Sequence, residues 1–300
     1  MRHQGPEPEH QLGDPGRRGR AKLPEYVTRL LAITETAYAK INLALHVRRR
    51  REDGYHELET LFAFVDAGDV LSARVSDQDR VTTLGEFAGG IDDPLDNLVA
   101  KTLAVLSRAQ GLDITLEKNL PVAAGLGGGS ADAGAVFRLV EQMHGLPDDW
   151  QSRAAKLGAD VPCCVRSETV VGRGTGTELE RAPQDLAGTP VLLVNPRVPL
   201  ATGPVFKAWD GRDRGALPEG SAREIALEGR NDLTTPALEL CPPISDVLDA
   251  LANGEAWLSR MSGSGATCFA LYDDEAARDH AAERLRKKRP DWWLLTGKLR

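Results

Sequence analysis

A glycine-rich segment followed by an amphipathic stretch is the feature that most restricts how this chain can fold. Pro121–Leu139 reads PVAAGLGGGSADAGAVFRL, with four glycines among the five positions 125–129. Glycine tolerates positive φ and lets another group approach the backbone closely, so these residues predict a tight loop. Apolar residues then recur at helical spacing, which predicts a helix over 130–144 with an inward face formed by Ala133, Val136, Phe137, Val140 and Met143.

Such a loop is suited to binding an anion. Its N–H groups can converge on one concavity, and the start of the next helix adds unbonded N–H groups and partial positive charge. We expect Ser130 to be the N-cap of this helix, with a hydroxyl that can equally face a phosphate or a metal ion. A polyphosphate fits this arrangement. A tight strand-to-helix turn that binds nothing is the alternative that the spacing alone leaves open.

Three familiar nucleotide-binding patterns do not match this loop. A Walker A loop requires a lysine after the glycines, and none follows here. A dinucleotide-binding fingerprint would have Ser130 at its last glycine position and lacks the acidic residue expected at the end of a second apolar strand. The chain also lacks the HRD and DFG triplets of protein kinases.

Charge and hydropathy restrict the kinds of partner. The net charge is −7, which argues against a nucleic-acid binder, although a local pocket can still attract an anion. No apolar run approaches the roughly 18 residues that a membrane span needs, and the N-terminus lacks the apolar core of a signal peptide. We therefore expect a cytoplasmic protein without membrane or nucleic-acid partners.

The cysteines predict a reducing compartment. They lack metal-ligand spacing, and we expect free, mostly buried thiols; the functional alternative is a catalytic cysteine. The four are Cys163, Cys164, Cys241 and Cys268.

The chain divides into three predicted parts. Residues 1–30 have little to bury and are expected to form a disordered tail, or alternatively a basic arm, since arginine and lysine cluster at 17–22. Two domains follow, at 31–188 and 189–300. Strands come in pairs and runs rather than in strict alternation with helices, which favours an α+β fold. The sequence contains no internal repeats.

Periodicity predicts the main elements of these domains. TAYAKINLALHV alternates as a strand with Lys40, Asn42 and His46 on one face, and LETLFAFVDAGDVLSARV predicts two more strands. DNLVAKTLAVLSRAQG predicts a helix that ends at Gly111, and a shorter helix is expected over 148–157. TPVLLVNPRVPL predicts the first strand of the second domain, and the segment after residue 256 predicts strand, turn, strand, helix and strand.

Four motifs together resemble the GHMP kinases. PVAAGLGGGSADA is similar to the phosphate loop of that family, and AYAKINLALHVRRRREDGYHELETLF, LGADVPCCV and MSGSGATCFAL match further motifs in family order, over about residues 35–272. The resemblance implies a two-lobed GHMP kinase fold with the active site in the cleft between the lobes. Its closest likeness is to the branch that uses ATP and Mg²⁺ to phosphorylate the 2-hydroxyl of 4-diphosphocytidyl-2-C-methyl-D-erythritol, in non-mevalonate isoprenoid biosynthesis.

The resemblance implies two catalytic residues. Asp160 in GADVP would orient the substrate hydroxyl and accept its proton, although spacing alone favours a helix N-cap before Val161-Pro162. Lys40 in AKINL would hold that carboxylate ionised, whereas the pattern alone suggests a solvated strand lysine. Lys40 is also the nearest candidate for the positive charge that the glycine loop lacks.

The remaining implied site residues bind ATP and the cytidine diphosphate substrate. Ser130 is the candidate contact to Mg²⁺ through Mg-ATP. The phosphates would be bound by Pro121, Ala124, Gly125, Leu126, Gly127, Gly128, Gly129 and Ser130. The substrate would be bound by Asn42, Tyr55, His56, Thr202, Phe206, Gly263 and Gly265.

Ordinary structural roles stand beside these assignments. Tyr55 offers a ring for stacking and His56 a donor and an acceptor for a base edge, but both also suit a hairpin surface. Gly263 and Gly265 also suit a hairpin turn. The alternatives to the implied activity are another GHMP kinase, of homoserine or phosphomevalonate type, and a nucleotide-binding module without kinase activity. The resemblance is compatible with a monomer or a homodimer.

Overall fold

The computed structural model describes residues 32–90 and 97–300, so the tail predicted at 1–30 lies outside the described residues. The described part contains strands β1 to β10 and helices α1 to α9, together with one turn of 3₁₀-helix at Ala88–Gly90. The strands are β1 Ile33–Arg50, β2 His56–Ser76, β3 Arg80–Leu84, β4 Gly111–Glu117, β5 Val170–Arg173, β6 Glu178–Arg181, β7 Pro190–Asn195, β8 Leu258–Met261, β9 Cys268–Leu271 and β10 Trp293–Lys298. The helices are α1 Leu98–Val105, α2 Gly128–His144, α3 Trp150–Leu157, α4 Val161–Arg166, α5 Thr202–Ala208, α6 Ala222–Glu228, α7 Thr234–Leu240, α8 Pro243–Ala252 and α9 Glu275–Lys288.

A long hairpin of β1 and β2 organises the first sheet. Within the described residues this sheet has the order β3-β4-β2-β5-β6, and β1 pairs with β2 in antiparallel register. β2 is one strand of 21 residues, so the prediction of two strands over this segment is wrong. The pairing within this segment is interrupted by a register shift, since Tyr38 pairs with Gly68 but Lys40 pairs with Phe64.

The second sheet has the order β10-β7-β9-β8, and all of its pairs are antiparallel. Its strands and helix α9 confirm the elements predicted at 190–195 and over the C-terminal segment. Helices α5 to α8 fill the chain between β7 and β8, where the sequence pattern predicted no elements. The whole is a mixed α+β fold, as predicted. The domain boundary near residue 188 stays a prediction; the second sheet begins at Pro190.

Two helix ends differ from their predictions. α2 begins at Gly128, with Gly127 as its N-cap in the left-handed region at φ 61°, so the expectation that Ser130 caps this helix is wrong. Ser130 instead lies inside the first turn, because the glycines themselves adopt helical conformation. α1 ends at Val105, and Gly111 starts β4 rather than ending the helix.

The buried residues form three hydrophobic clusters. α2 lies in the second cluster, between the first sheet and helices α1 and α4, and its buried face includes the predicted Ala133, Val136, Phe137 and Val140. The four cysteines are free and buried, as predicted. None of the helices in the described part of the chain has the length and apolar character that crossing a bilayer requires.

Helix α2 approaches α4 so closely that one position requires glycine. A Cβ atom at Gly134 would lie 2.4 Å from the carbonyl oxygen of Cys164 and 2.9 Å from the Cys164 Cβ. Both distances are shorter than van der Waals contact. The absence of a side chain at Gly134 therefore sets the distance between the two helices.

We expect Gly134→Ala to lower the free energy of unfolding by roughly 1–3 kcal/mol, the usual cost of overpacking a core, despite the higher helix propensity of alanine. Urea denaturation measures the difference. Gly203→Ala is the matched control, because Gly203 also lies in a helix and an added Cβ would have no atom within 4 Å. Equal stability of the two variants would show that α2 and α4 can separate without cost.

Candidate active site

A cavity of about 970 Å³ opens between the glycine loop, the β1-β2 hairpin and helix α5. The sequence-predicted residues gather here, except that Leu126 and Gly265 do not line it. Leu126 is buried in the hydrophobic core. The predicted residues along the wall are Lys40, Asn42, Tyr55, His56, Pro121, Ala124, Gly125, Gly127, Gly128, Gly129, Ser130, Asp160, Thr202, Phe206 and Gly263.

An ion pair lies at the centre of this cavity. Nζ of Lys40 is 3.2 Å from Oδ2 of Asp160. The Lys40 side chain is 5% exposed, whereas that of Asp160 is 35% exposed, so the carboxylate reaches the open part of the cavity. Asp160 occupies the N-cap position of α4 but makes no side-chain capping bond. Its carboxylate therefore pairs with Lys40 rather than with the helix end.

Lys40 is buried yet held in its charged form. Burial is the largest single influence and lowers the pKa of Lys40, but the carboxylate of Asp160 together with the nearby Cys163 and Cys164 more than offsets it, so the pKa is raised above its ordinary value. Nζ also donates to Oδ1 of Asn42 at 3.3 Å and lies 4.3 Å from the centroid of the Phe62 ring. The solvated strand lysine that the pattern suggested is thus excluded by its surroundings.

Asn42 braces Lys40 from the same strand. Its Oδ1 accepts from Lys40, and its Nδ2 donates to Oγ1 of Thr60 on β2 at 2.8 Å. The alternation predicted for β1 is interrupted by register shifts between Tyr38 and Lys40 and between Asn42 and Ala44. The predicted polar face of β1 is also covered by the rest of the chain instead of by solvent, since Lys40, Asn42 and His46 are at most 4% exposed.

The glycine loop rests on Lys40. The backbone N–H of Lys40 donates to the carbonyl of Leu126 at 3.0 Å. A Cβ at Gly127 would lie 2.9 Å from Cε of Lys40. Gly125 and Gly127 have φ of 75° and 61°, a region that disfavours other residues. The loop therefore needs glycine at both positions for its own backbone and, at Gly127, for the lysine beneath it.

The opposite side of the loop packs on the turn between β8 and β9. Oγ of Ser262 donates to the carbonyl of Gly125 at 2.8 Å, and the N–H of Thr267 donates to the carbonyl of Ala124 at 3.1 Å. A Cβ at Gly125 would lie 2.3 Å from the carbonyl oxygen of Ser262 and 3.0 Å from that of Gly265. Gly265 thus contacts the loop from behind, while Gly263 lies at the cavity wall.

The other end of the cavity is aromatic. The rings of His56 and Phe206 have centroids 5.0 Å apart, and Tyr55 is 64% exposed at the rim. Oγ1 of Thr202 lies 3.0 Å from Oγ of Ser264, which joins the start of α5 to the turn after β8. Residues from both halves of the chain therefore form this end.

Sequence reasoning missed a buried charge cluster beneath the loop. Lys118 donates to Asp69, and also to Oδ2 of Asp132 at 2.7 Å; all three side chains are at most 4% exposed. Lys118 and Asp132 line the cavity. One signal was available, because Asp132 precedes Val136 and Val140 by one and two turns, and so places a carboxylate on the apolar face of α2.

The cluster carries one more carboxylate than ammonium groups. Burial raises the pKa of Asp132 to about 7, with Lys118 opposing the shift and Asp69 adding to it. Its Oδ1 is buried and has no hydrogen-bond partner among the described residues. A protonated carboxyl relieves both the buried charge and the repulsion from Asp69.

The side chains in the cavity offer few metal ligands. Within residues 32–90 and 97–300 no group of three or more His, Cys, Asp and Glu residues could hold a metal ion. The oxygen donors beside the loop include the hydroxyl of Ser130 and the carboxylates of Asp132 and Asp160, which all line the cavity.

Two family models match the chain. The model described as "GHMP kinases N terminal domain" matches residues 97–168, and the model described as "GHMP kinases C terminal" matches residues 214–291. The first range contains the glycine loop and Asp160, and the second contains the turn on which the loop packs.

Curated relatives match over almost their whole length. A 4-diphosphocytidyl-2-C-methyl-D-erythritol kinase of Erythrobacter litoralis is 66% identical over 271 residues, covering 89% of this chain and 99% of the relative. A protein of the same name from Novosphingobium aromaticivorans is 65% identical, covering 93% of this chain and 97% of the relative.

Solved structures show the same fold. A crystal structure of 4-(cytidine 5'-diphospho)-2C-methyl-D-erythritol kinase matches with a TM-score of 0.75 and 32% identity, over 89% of this chain and 99% of that chain. A homoserine kinase from Cytophaga hutchinsonii matches with a TM-score of 0.61 and 18% identity, over 89% of this chain and 95% of that chain, and is similar in fold.

We expect Asp132→Asn to gain stability relative to the unchanged protein as pH rises. An ordinary aspartate has a pKa of about 3.9, so between pH 4 and 7 the folded state binds a proton that the unfolded state releases. The stability that the protonated Asp132 carboxyl gives to the folded state is therefore fully present below pH 4 and is lost as pH rises through 7. Asparagine does not titrate, so the variant has no such loss. From pH 5 to pH 8, the free energy of unfolding of the variant should rise relative to that of the unchanged protein by more than about 1 kcal/mol.

Urea denaturation at the two pH values measures this shift. The same substitution at Asp273, whose side chain is 73% exposed, is the control and should leave the difference constant. A constant difference for Asp132→Asn as well would mean that the carboxyl is already ionised at pH 5.

Proposed function

Because the chain belongs to the GHMP kinases and, within them, to the 4-diphosphocytidyl-2-C-methyl-D-erythritol kinase family, we propose that it phosphorylates that substrate. The γ-phosphate of ATP is transferred to the 2-hydroxyl group, giving the 2-phosphate and ADP, in non-mevalonate isoprenoid precursor biosynthesis. The observation that carries this proposal is the Lys40–Asp160 pair, which lies in one cavity with the glycine loop and the aromatic end. Kinases that act on homoserine or phosphomevalonate are less suitable candidates, because their substrates contain no nucleobase.

Asp160 is the proposed proton acceptor. Its carboxylate lies at the open side of the ion pair, where a substrate hydroxyl can donate to it, and it takes up the hydroxyl proton as the oxygen bonds to phosphorus. The bond to the leaving ADP oxygen breaks in the same displacement. Since phosphoryl transfer depends mainly on positioning and charge stabilisation, a weak base in the correct place is sufficient.

Lys40 is the proposed partner of both reactants. It holds the carboxylate of Asp160 in place and supplies a buried positive charge directly below Gly127. The loop itself contains no cation, so its N–H groups and the N-terminus of α2 bind phosphate oxygens, with the ammonium groups of Lys40 and Lys118 behind them. A nucleotide-binding module without kinase activity would require neither Lys40 nor Asp160.

Mg²⁺ would enter with ATP. Nucleotide-bound Mg²⁺ is commonly held by phosphates, waters and one or two protein oxygens, and the hydroxyl of Ser130 and the carboxylate of Asp160 fit that need. When bound, the ion would neutralise phosphate charge. The scarcity of ligand side chains in the described residues supports capture through the nucleotide rather than by a preformed protein site.

The aromatic end is the proposed site for the cytosine base. Tyr55 and Phe206 offer ring faces for stacking, and His56 offers a nitrogen to the base edge. Thr202 and Gly263 would contact the diphosphate region. Asn42 has its amide bonded to Lys40 and Thr60, which supports a bracing role beside its proposed substrate contact. The cytoplasmic location and the monomeric or homodimeric state stay predictions.

We expect ADP release from Mg-ATP to depend on 4-diphosphocytidyl-2-C-methyl-D-erythritol. A coupled assay with purified, folded protein measures this turnover, with homoserine and phosphomevalonate as comparison acceptors. Faster turnover of either comparison acceptor, or none with the cytidine substrate, would contradict the proposal.

We expect Asp160→Asn to lower kcat at least ~100-fold, the lower range for loss of an acid–base group, while ATP binding is retained. Asp149→Asn is the matched control, because Asp149 is also an N-cap residue whose side chain makes no capping bond. Steady-state kinetics and nucleotide titration measure the two quantities. An unchanged kcat would limit Asp160 to a structural role.

A further inference from the structure

Arg50 differs from the arginines beside it in what it binds. Arg48, Arg49 and Arg51 each pair with carboxylates. The Nη2 atom of Arg50 instead donates to two backbone carbonyls, that of Lys207 at 2.8 Å and that of Trp209 at 2.5 Å. Those carbonyls belong to the end of α5, where helix geometry leaves carbonyl groups without a partner inside the helix. Arg50 thus ties the end of α5 to the end of β1.

The register of the β1-β2 hairpin places this tie beside the aromatic end of the cavity. Arg50 is the direct partner of His56 in the antiparallel pairing, and both residues line the cavity. The end of α5 carries Phe206, and Trp209 follows it. The ring of His56 therefore lies at the junction that Arg50 bridges.

The two rings that Arg50 holds in place form walls around His56. The His56 centroid is 5.0 Å from that of Phe206 and 5.8 Å from that of Trp209, which it meets edge to face at 80°. The guanidinium carbon of Arg50 lies 6.0 Å from the centroid of the Trp209 ring. Nε2 of His56 is buried and has no hydrogen-bond partner within the described part of the chain.

We propose that Arg50 is a positioning residue for the nucleobase, which keeps the end of α5 against β1 so that His56 and Phe206, with the buried Trp209 packed against His56, form a preassembled base pocket. This inference rests on the proposed function, because it assumes that a nucleobase occupies the aromatic end. Arg50 acts indirectly: it binds the backbone carbonyls at the end of α5, and the residues at that end carry the aromatic rings.

The charge of Arg50 also favours one form of His56. Burial lowers the pKa of His56, and the nearby guanidinium of Arg50 lowers it further. A neutral imidazole can accept a hydrogen bond, whereas a protonated one can only donate. Cytosine carries an amino donor where uracil carries a carbonyl acceptor. When Arg50 is removed, the end of α5 and the ring of His56 are no longer held in place, so binding of a cytosine base should weaken and the preference for cytosine over uracil should fall.

Arg50→Met keeps the aliphatic stem and removes the donor, and Arg49→Met is the matched control on the same strand, since the Arg49 side chain is 72% exposed. We expect Arg50→Met to raise KM for the cytidine substrate about 10-fold, the effect of roughly 1.4 kcal/mol in ground-state binding, with kcat and KM for ATP unchanged. Arg49→Met should leave all three constants unchanged. Arg50→Gln, which stays polar, should repeat the effect if the methionine variant is poorly folded.

Titration calorimetry with cytidine 5'-diphosphate and uridine 5'-diphosphate, with the ATP site saturated by ADP, gives a readout that does not need turnover. We expect the unchanged protein to prefer the cytidine nucleotide and Arg50→Met to lose most of that preference. An unchanged KM and preference, or a parallel fall in kcat, ATP binding and melting temperature, would overturn the proposal. Suppose that the unchanged protein binds the cytidine nucleotide more tightly than Arg50→Met does, but turns over no cytidine substrate. The proposed function then fails, while the positioning role of Arg50 stands.

Discussion

The site depends on the interactions of one buried group, the ammonium of Lys40. It forms the ion pair with Asp160, bonds to Asn42, faces the ring of Phe62 and supports Gly127 with its stem. A buried ion pair usually contributes little net stability, because desolvation offsets the attraction between the charges, and removal of one partner leaves the other uncompensated. The arrangement is therefore better explained by chemistry than by folding, since it holds a partly exposed carboxylate at one fixed point.

The three parts of the cavity come from distant parts of the sequence and meet through short-range contacts. The loop is fastened to β1 through the bond from Lys40 to Leu126 and to the β8-β9 turn through Ser262 and Thr267. The aromatic end joins β2 to α5 in the same way. The geometry of the site thus depends on how the two sheets pack together, and not on the loop alone.

The sequence predicted this site more completely than it predicted the fold around it. Lys40 and Asp160 were implied by the resemblance of their motifs to those of the GHMP kinases, since their patterns alone also fit a solvated strand lysine and a helix N-cap. The glycines predicted a tight loop from their own conformational freedom. The long strand β2 and helices α5 to α8 could not be predicted in the same way, because their lengths depend on what packs against them. Asp132 was missed for a related reason: its role depends on Lys118 and Asp69, which are distant in sequence and close only after folding.

The glycines at positions 125 and 127 have a consequence for how the loop meets a nucleotide. Carbonyl groups of the turn after β8 contact one of them and the stem of Lys40 contacts the other, so the backbone is held from both sides by the protein itself. A flexible loop would lose conformational entropy when it ordered around a phosphate, and that loss would weaken binding. Here the loop is already ordered when the protein folds, so a nucleotide that binds as proposed would meet amide groups whose directions are already set. The loop is in this respect preorganised by the residues that pack against it.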